Sequence, residues 1–203
     1  VDTEYFEPAD YRSTIVTSGD NSIGVAAISS GGSAWAGNFY GSITTGTLDE
    51  YDDPDTGEGS HGLVAYSDLD EAVAMNKYHG EIVTRGNDAY GIWATSDDDM
   101  AHASNKYASS IITHGDGSIG MRVIASGEYG AYGDGYDADA FNISSSITTY
   151  GDYAAGVSVI SYEGDVVAVN ASGSIYEDYD LDLPEAAITT HGDYADGIEA
   201  RAE

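Results

Sequence analysis

The sequence predicts an all-β solenoid, in which coils of three short strands stack along one axis and each repeat of the sequence supplies one coil. Three observations predict it. A phrase running from Ile to Gly recurs six times in the 203-residue chain. Two further phrases follow it at fixed offsets, both alternating apolar and other residues as one face of a strand requires. The uninterrupted period is 28 to 29 residues, too short for a coil to bury its own inner face, so successive coils must stack to make a core.

The first phrase runs from Ile15 to Gly24, Ile82 to Gly91, Ile111 to Gly120, Ile147 to Gly156 and Ile188 to Gly197. Its remaining copy starts at Ile43 and is interrupted by an acidic insert before it resumes at Ser60. Two places after each Ile stands a Thr, at positions Thr17, Thr45, Thr84, Thr113, Thr149 and Thr190, which puts Ile and Thr on the same inward face. A Gly beyond the Thr frees the backbone for a corner, and the Asp or Asn beside it suits a turn. The second phrase begins after the closing Gly. Val25, Leu63, Ile92, Met121, Val157 and Ile198 come first, then Ala27, Ala65, Ala94, Val123, Val159 and Ala200 two places on. The third phrase is Ala-x-Ala-x-Asn, ending at Asn38, Asn76, Asn105 and Asn142, with a Val-containing version ending at Asn170.

Stacked in register, each column becomes a ladder. Ile, Val and Leu fill the interior, paired Ala columns make a thin wall, and the Asn column hydrogen-bonds to itself through donor and acceptor. Six coils at about 4.8 Å give a column roughly 25 to 30 Å tall. Insertions near residues 47–59, 128–137 and 176–187, rich in Asp, Gly and Tyr, read as surface loops. The solenoid therefore spans residues 13–203, and residues 1–12, which match no repeat, form an N-terminal extension that either caps the column or is donated as a strand to a neighbour.

Composition narrows the function. Thirty-six Asp and Glu against six Lys and Arg give a net charge of −30. Such a surface repels phosphate backbones and anionic headgroups, which argues against nucleic-acid binding and membrane attachment. No apolar run reaches the roughly 18 to 20 residues of a spanning helix, so membrane insertion is not expected. The absence of Cys fits an exported protein without disulfides. The acids fall in turns and inserts rather than in the inward columns, so salt or divalent cations should relieve their repulsion.

Several motifs are absorbed by the repeat. Gly57 to Gly62 and Gly115 to Gly120 match the spacing of a dinucleotide-binding loop, but both lie on the repeat's own corner, and no helix follows to hold a phosphate. Asn142 and Asn170 head glycosylation sequons yet belong to the ladder. His114 and His191 share one outward column with Tyr150 between them, two rungs or roughly 10 Å apart, too far for one zinc. An outward column of Val16, Thr44, Val83, Ile112, Thr148 and Thr189 is only half Thr, which disfavours an ice-binding role. Acidic clusters offer the one plausible metal chemistry. Asp53, Asp55 and Glu58 in the first insert, with Asp134, Asp137 and Asp139 at the second, place alternate carboxylates in Gly-containing loops, as a Ca²⁺ ion seeking six to eight oxygens would require.

The runs Ala171-Ser-Gly-Ser-Ile175 and Ile188-Thr-Thr-His-Gly-Asp-Tyr-Ala-Asp-Gly-Ile198 resemble the repeats in passenger regions of bacterial autotransporter adhesins, and the similarity covers residues 13 to 203. The resemblance implies a right-handed parallel β-helix of the pectin-lyase-like kind, on the cell surface or extracellular; that family's translocator barrel has no counterpart in these residues. The expected function is a non-enzymatic structural or adhesive protein. It would self-associate end to end into a fibre, form part of a larger passenger, or bind a cell-surface or glycan ligand. The alternative is a polysaccharide lyase or glycosidase. Lys77 and Lys106, which share a column next to the ladder Asn, would be its candidate bases, but no catalytic residue breaks the repeat pattern.

Overall fold

The computed structural model of the chain describes residues 13–48, 54–127, 137–173 and 183–203. Three parallel sheets carry the fold, and the chain visits them in turn. Sheet A contains Thr14–Thr17, Ser42–Thr45, Glu81–Arg85, Ser110–His114, Ser146–Tyr150 and Ala187–His191. Sheet B contains Ile23–Ser29, His61–Ser67, Tyr90–Ser96, Ile119–Ala125, Ala155–Ser161 and Asp196–Ala202. Sheet C contains Ala34–Phe39, Ala72–Lys77, Ala101–Lys106, Ala138–Ile143 and Val166–Ala171. Each strand pairs with its equivalents one repeat earlier and one later, so the chain is a parallel β-helix with three strands per rung.

Register follows the repeat without a slip. Ile15, Ile43, Ile82, Ile111, Ile147 and Ile188 are successive partners in sheet A, and the six Thr align two places on. A one-residue slip would turn every Ile outward, which is why the pattern pins the pairing. Ile43, Ile82, Ile111 and Ile147 sit in one core with Leu63, Ile92, Met121, Val157 and the paired Ala of sheet C. The Ala columns of sheet C are buried in that same core.

Polar ladders close the corners. Each Asn side chain donates from Nδ2 to the Oδ1 of the next, from Asn38 through Asn76, Asn105 and Asn142 to Asn170, at 2.8–2.9 Å. The A-to-B corner has an acidic counterpart. Asp20 Oδ1 accepts the N–H groups of Gly57 and Glu58, Asn87 accepts that of Asp116, Asp116 that of Asp152, and Asp152 that of Asp193. Part of the net charge is thus structural, because the Asp20, Asp116 and Asp152 carboxylates satisfy turn donors of the next rung.

Two glycine columns have different reasons. Gly86, Gly115, Gly151 and Gly192 turn the corner at φ between 114° and 133°, which other residues rarely adopt. The Gly that closes the first phrase has no such φ. The ladder passes over it, pairing Ile23 with His61 and then Val25 with Leu63, and a Cβ there would point into the next rung. On Gly91 it would overlap Ile111 Cγ2 and lie 2.7 Å from the Gly120 carbonyl.

The described residues at the edges of the three inserts belong to the rungs. The chain leaves sheet A at Gly46 and returns at Gly57, between which Thr47–Leu48 and Pro54–Thr56 pair antiparallel. Glu58 therefore belongs to the acidic corner column, and the Asn21 N–H donates to its carbonyl at 2.8 Å. Asp137 likewise belongs to its rung, its carbonyl accepting the Ala101 N–H at 3.0 Å. Ala187 starts a sheet A strand. The extension at residues 1–12 lies outside the described residues.

One feature of the interior is costly. Among the described residues the inward Oγ1 atoms of Thr17, Thr45, Thr84, Thr113 and Thr149 are buried without a hydrogen-bond partner. Adjacent strands hold equivalent atoms too far apart to bond one another. Replacing such a hydroxyl with a methyl of similar shape removes a buried unsatisfied group. Thr84→Val and Thr113→Val should each stabilise by about 1 kcal/mol, read as a higher urea midpoint at unchanged m-value; a lower midpoint would show that these hydroxyls are satisfied in solution.

Candidate binding surfaces

The solenoid presents three outer sheet faces, the corners and two ends. Sheet A's outer face carries Thr14, Ser42, Glu81, Ser110, Ser146 and Ala187 in one column, and the mixed Val, Thr and Ile column beside it. Its last column stacks His114, Tyr150 and His191, with ring centroids 4.9 and 4.7 Å apart. The sequence placed these three in one outward column, and there they are.

Sheet B's outer face holds an aromatic cluster. His61 stacks on Tyr90 at 4.8 Å and meets the edge of Trp93 at 4.9 Å, and the Arg122 guanidinium lies 5.6 Å from the Tyr90 ring centre. His61 Nδ1 accepts the Tyr90 N–H at 3.1 Å. Burial lowers His61 from 6.5 to about 4. The unfolded chain therefore binds a proton at pH values where the folded chain does not. Stability from this site is complete above about pH 6.5, drains as pH falls towards 4, and is level below that. The loss is about 2 kcal/mol once partial solvent access is discounted. Denaturation midpoints of the parent protein and His61→Phe at pH 7 and pH 4.5 should differ in slope by that amount; equal slopes would remove His61 as a source of acid sensitivity.

Sheet C's outer face is the most unusual. Its columns read Trp35, Val73, His102, Asp139 and Val167; then Gly37, Met75, Ser104, Phe141 and Val169; then Phe39, Lys77, Lys106, Ile143 and Ala171. Trp35 is 58% exposed and Phe39 49%. The Lys106 ammonium lies 4.9 Å from the centre of the Phe141 ring, and His102 packs against the same ring at 5.3 Å. At the adjoining corner Tyr40, Tyr78 and Tyr107 stack at 5.4 and 5.1 Å. Burial lowers both lysines, and for Lys106 the neighbouring Lys77 lowers it further. Burial also lowers His102 to about 4, with Lys106 and Lys77 acting in the same direction. Asp139 is raised, by burial first and by Asp137 second. Sequence reading found the lysine column but not the aromatic face around it, although the signal was present in the alternate places of the Ala-x-Ala-x-Asn phrase.

The candidate Ca²⁺ ligands are only partly placed. Asp53, Asp134 and the Asp55 side chain lie outside the described residues. Glu58 is exposed on the acidic corner, Asp137 Oδ1 accepts the Asp165 N–H at 3.0 Å, and Asp139 faces outward on sheet C. Among the described residues no three His, Asp or Glu side chains gather as a metal set.

The two ends differ. The Asn ladder is polar, since every Nδ2 points to the later rung. Among the described residues sheets A and B have six strands and sheet C five, so one end carries a step. There the inward Ile198 is 44% exposed, whereas its equivalents Ile92 and Met121 are buried. No protein-family model, curated protein or solved structure matches the chain.

Proposed function

We propose that the protein is a non-enzymatic, extracellular or surface-displayed β-solenoid whose roles are structural and adhesive, and whose unlike ends join copy to copy along the axis. The observation that carries this reading is uniformity. Inward Ile and Thr recur in all six strands of sheet A, inward Ala and Asn recur through the five strands of sheet C with Val166 in one Ala place, and among the described residues the departures from repetition lie on the outward faces. The resemblance to adhesin passenger repeats supports display outside the cell.

Axial joining follows from the ends. Among the described residues the outermost strands of each sheet have a partner strand on one side only, and the Asn ladder runs from donor to acceptor along the axis. A contact between unlike ends does not close on itself and extends as a filament. Negative-stain electron microscopy of the purified chain over a concentration series should show rods several times longer than one column. Removing residues 1–12, the segment offered for strand addition, should shorten them. Monomers at every concentration would overturn axial joining.

A further inference from the structure

We propose that the outer face of sheet C is an oxyanion-binding face, on which Lys77, Lys106 and the Ser104 hydroxyl take the carboxylate or sulfate of an acidic sugar chain lying over Trp35, Phe39 and Phe141. The proposal rests on the adhesive part of the reading above and is independent of axial joining.

The first observation is a misplaced pair of charges. The chain has six cationic residues against thirty-six acids, so a lysine placed without constraint would find a carboxylate. Instead Lys77 and Lys106 are direct register partners on one face, about 4.8 Å apart at the backbone. Among the described residues the ion pairs are those of Arg201 with Glu199 and Glu203, and neither lysine has one. Two like charges side by side in the wall of an acidic protein cost stability, and an anion between them would remove that cost.

The second observation is independent. Ser104 stands two places before Lys106 on the same outward face, is fully buried, and its Oγ has no hydrogen-bond partner among the described residues. A hydroxyl donor without a partner, on the same face as the two lysines and two places from Lys106, is suited to an oxyanion, which can accept from all three. His102 and Met75 flank it on that face.

The third observation identifies what carries the anion. Its exposed rings, Trp35 and Phe39, lie on the same face as the cations, Phe39 in the lysine column itself. No other ring stacks on Trp35 among the described residues. Open aromatic faces pack against the C–H faces of sugar rings, while the lysine stems lie along the apolar surface and keep their charge at its edge. An acidic peptide offers carboxylates without the C–H faces.

The test titrates the full chain with a uronate oligosaccharide, a sulfated oligosaccharide, the neutral oligosaccharide of the same length, and a glutamate peptide of equal charge, at fixed ionic strength, by calorimetry and tryptophan fluorescence. At least one acidic sugar should bind saturably, at least tenfold tighter than the neutral sugar and the peptide. The double variant Lys77→Met with Lys106→Met keeps the stems packed and should lose at least tenfold of that affinity while its melting temperature holds or rises. Trp35→Ala should lose severalfold. Absence of saturable binding, equal binding of the neutral sugar or the peptide, or an affinity unchanged in the double variant would overturn the proposal. Microscopy of the same double variant reads axial joining separately.

Discussion

Gly91→Ala is expected to destabilise the fold by about 3 kcal/mol, although it adds a single methyl group at a backbone conformation that alanine adopts freely. The cost is steric and cannot be relaxed locally. The new Cβ would meet Ile111 Cγ2 and the Gly120 carbonyl oxygen, the latter at 2.7 Å. Ile111 is wedged between Ile82 and Ile147 in the interior column, and Gly120 is in the same strait, with Ile147 and the Gly156 carbonyl above it. Making room at one rung therefore means displacing the next. Gly197→Ala is the control. It lies in the same column at the last rung, where a Cβ would meet nothing within 4 Å, and it should change stability by no more than about 0.5 kcal/mol. Urea denaturation of both variants decides the matter. Equal midpoints would show that the glycine column is not set by contact between rungs.

That pair of variants also marks where the sequence was informative. Sheet membership, strand order and register were legible because a repeat aligns itself. Once Ile15 and Ile43 are equivalent, so are Thr17 and Thr45, and the sheet pairing has no freedom left. The Asn ladder was legible for the same reason, since an amide repeated at rung spacing has one partner on each side. The closing Gly was visible as a letter but not as a collision, because its cause lies in the side chain of another repeat. The corners were only half legible. The Gly after Thr signals its positive φ, yet two places on the same left-handed region is occupied by Asn21, Asp88, Tyr153 and Tyr194 at φ 53–58°. No single residue type announces that position, and the ladder hydrogen bonds of neighbouring rungs hold it. The sheet C face was the least legible. Its columns mix Trp35 with Val73 and His102, or Phe39 with Lys77 and Lys106, so a search for identical residues passes over it. Outward positions are free to vary from rung to rung, and recognition can reside where repetition fails.

Asn105→Ala should cost about 3 kcal/mol, and Asn105→Asp should cost more at neutral pH despite nearly identical shape. Asn105 accepts from Asn76 Nδ2 at 2.9 Å and donates to Asn142 Oδ1 at 2.9 Å and to the Ser146 carbonyl at 3.0 Å. Alanine leaves two buried acceptors without their donor and opens a cavity, and each orphaned group carries a desolvation penalty. Aspartate keeps the bond from Asn76 but sets a second oxygen against Asn142 Oδ1 and the Ser146 carbonyl, with no proton between them. Burial and those oxygens favour the neutral acid, so its folded pKa must rise above the unfolded value near 3.9. The folded variant then binds more protons than the unfolded one, and its stability increases as pH falls. Relative to the parent protein, Asn105→Asp should be the weaker variant at pH 7 and recover part of its deficit by pH 4, whereas the Asn105→Ala deficit should stay constant. Asn170→Ala, at the exposed end of the ladder, should cost about 1 kcal/mol or less, because water can satisfy the group it leaves behind. Equal penalties at Asn105 and Asn170, or an Asn105→Asp deficit independent of pH, would show that the ladder's directional hydrogen bonds do not hold the rungs in register.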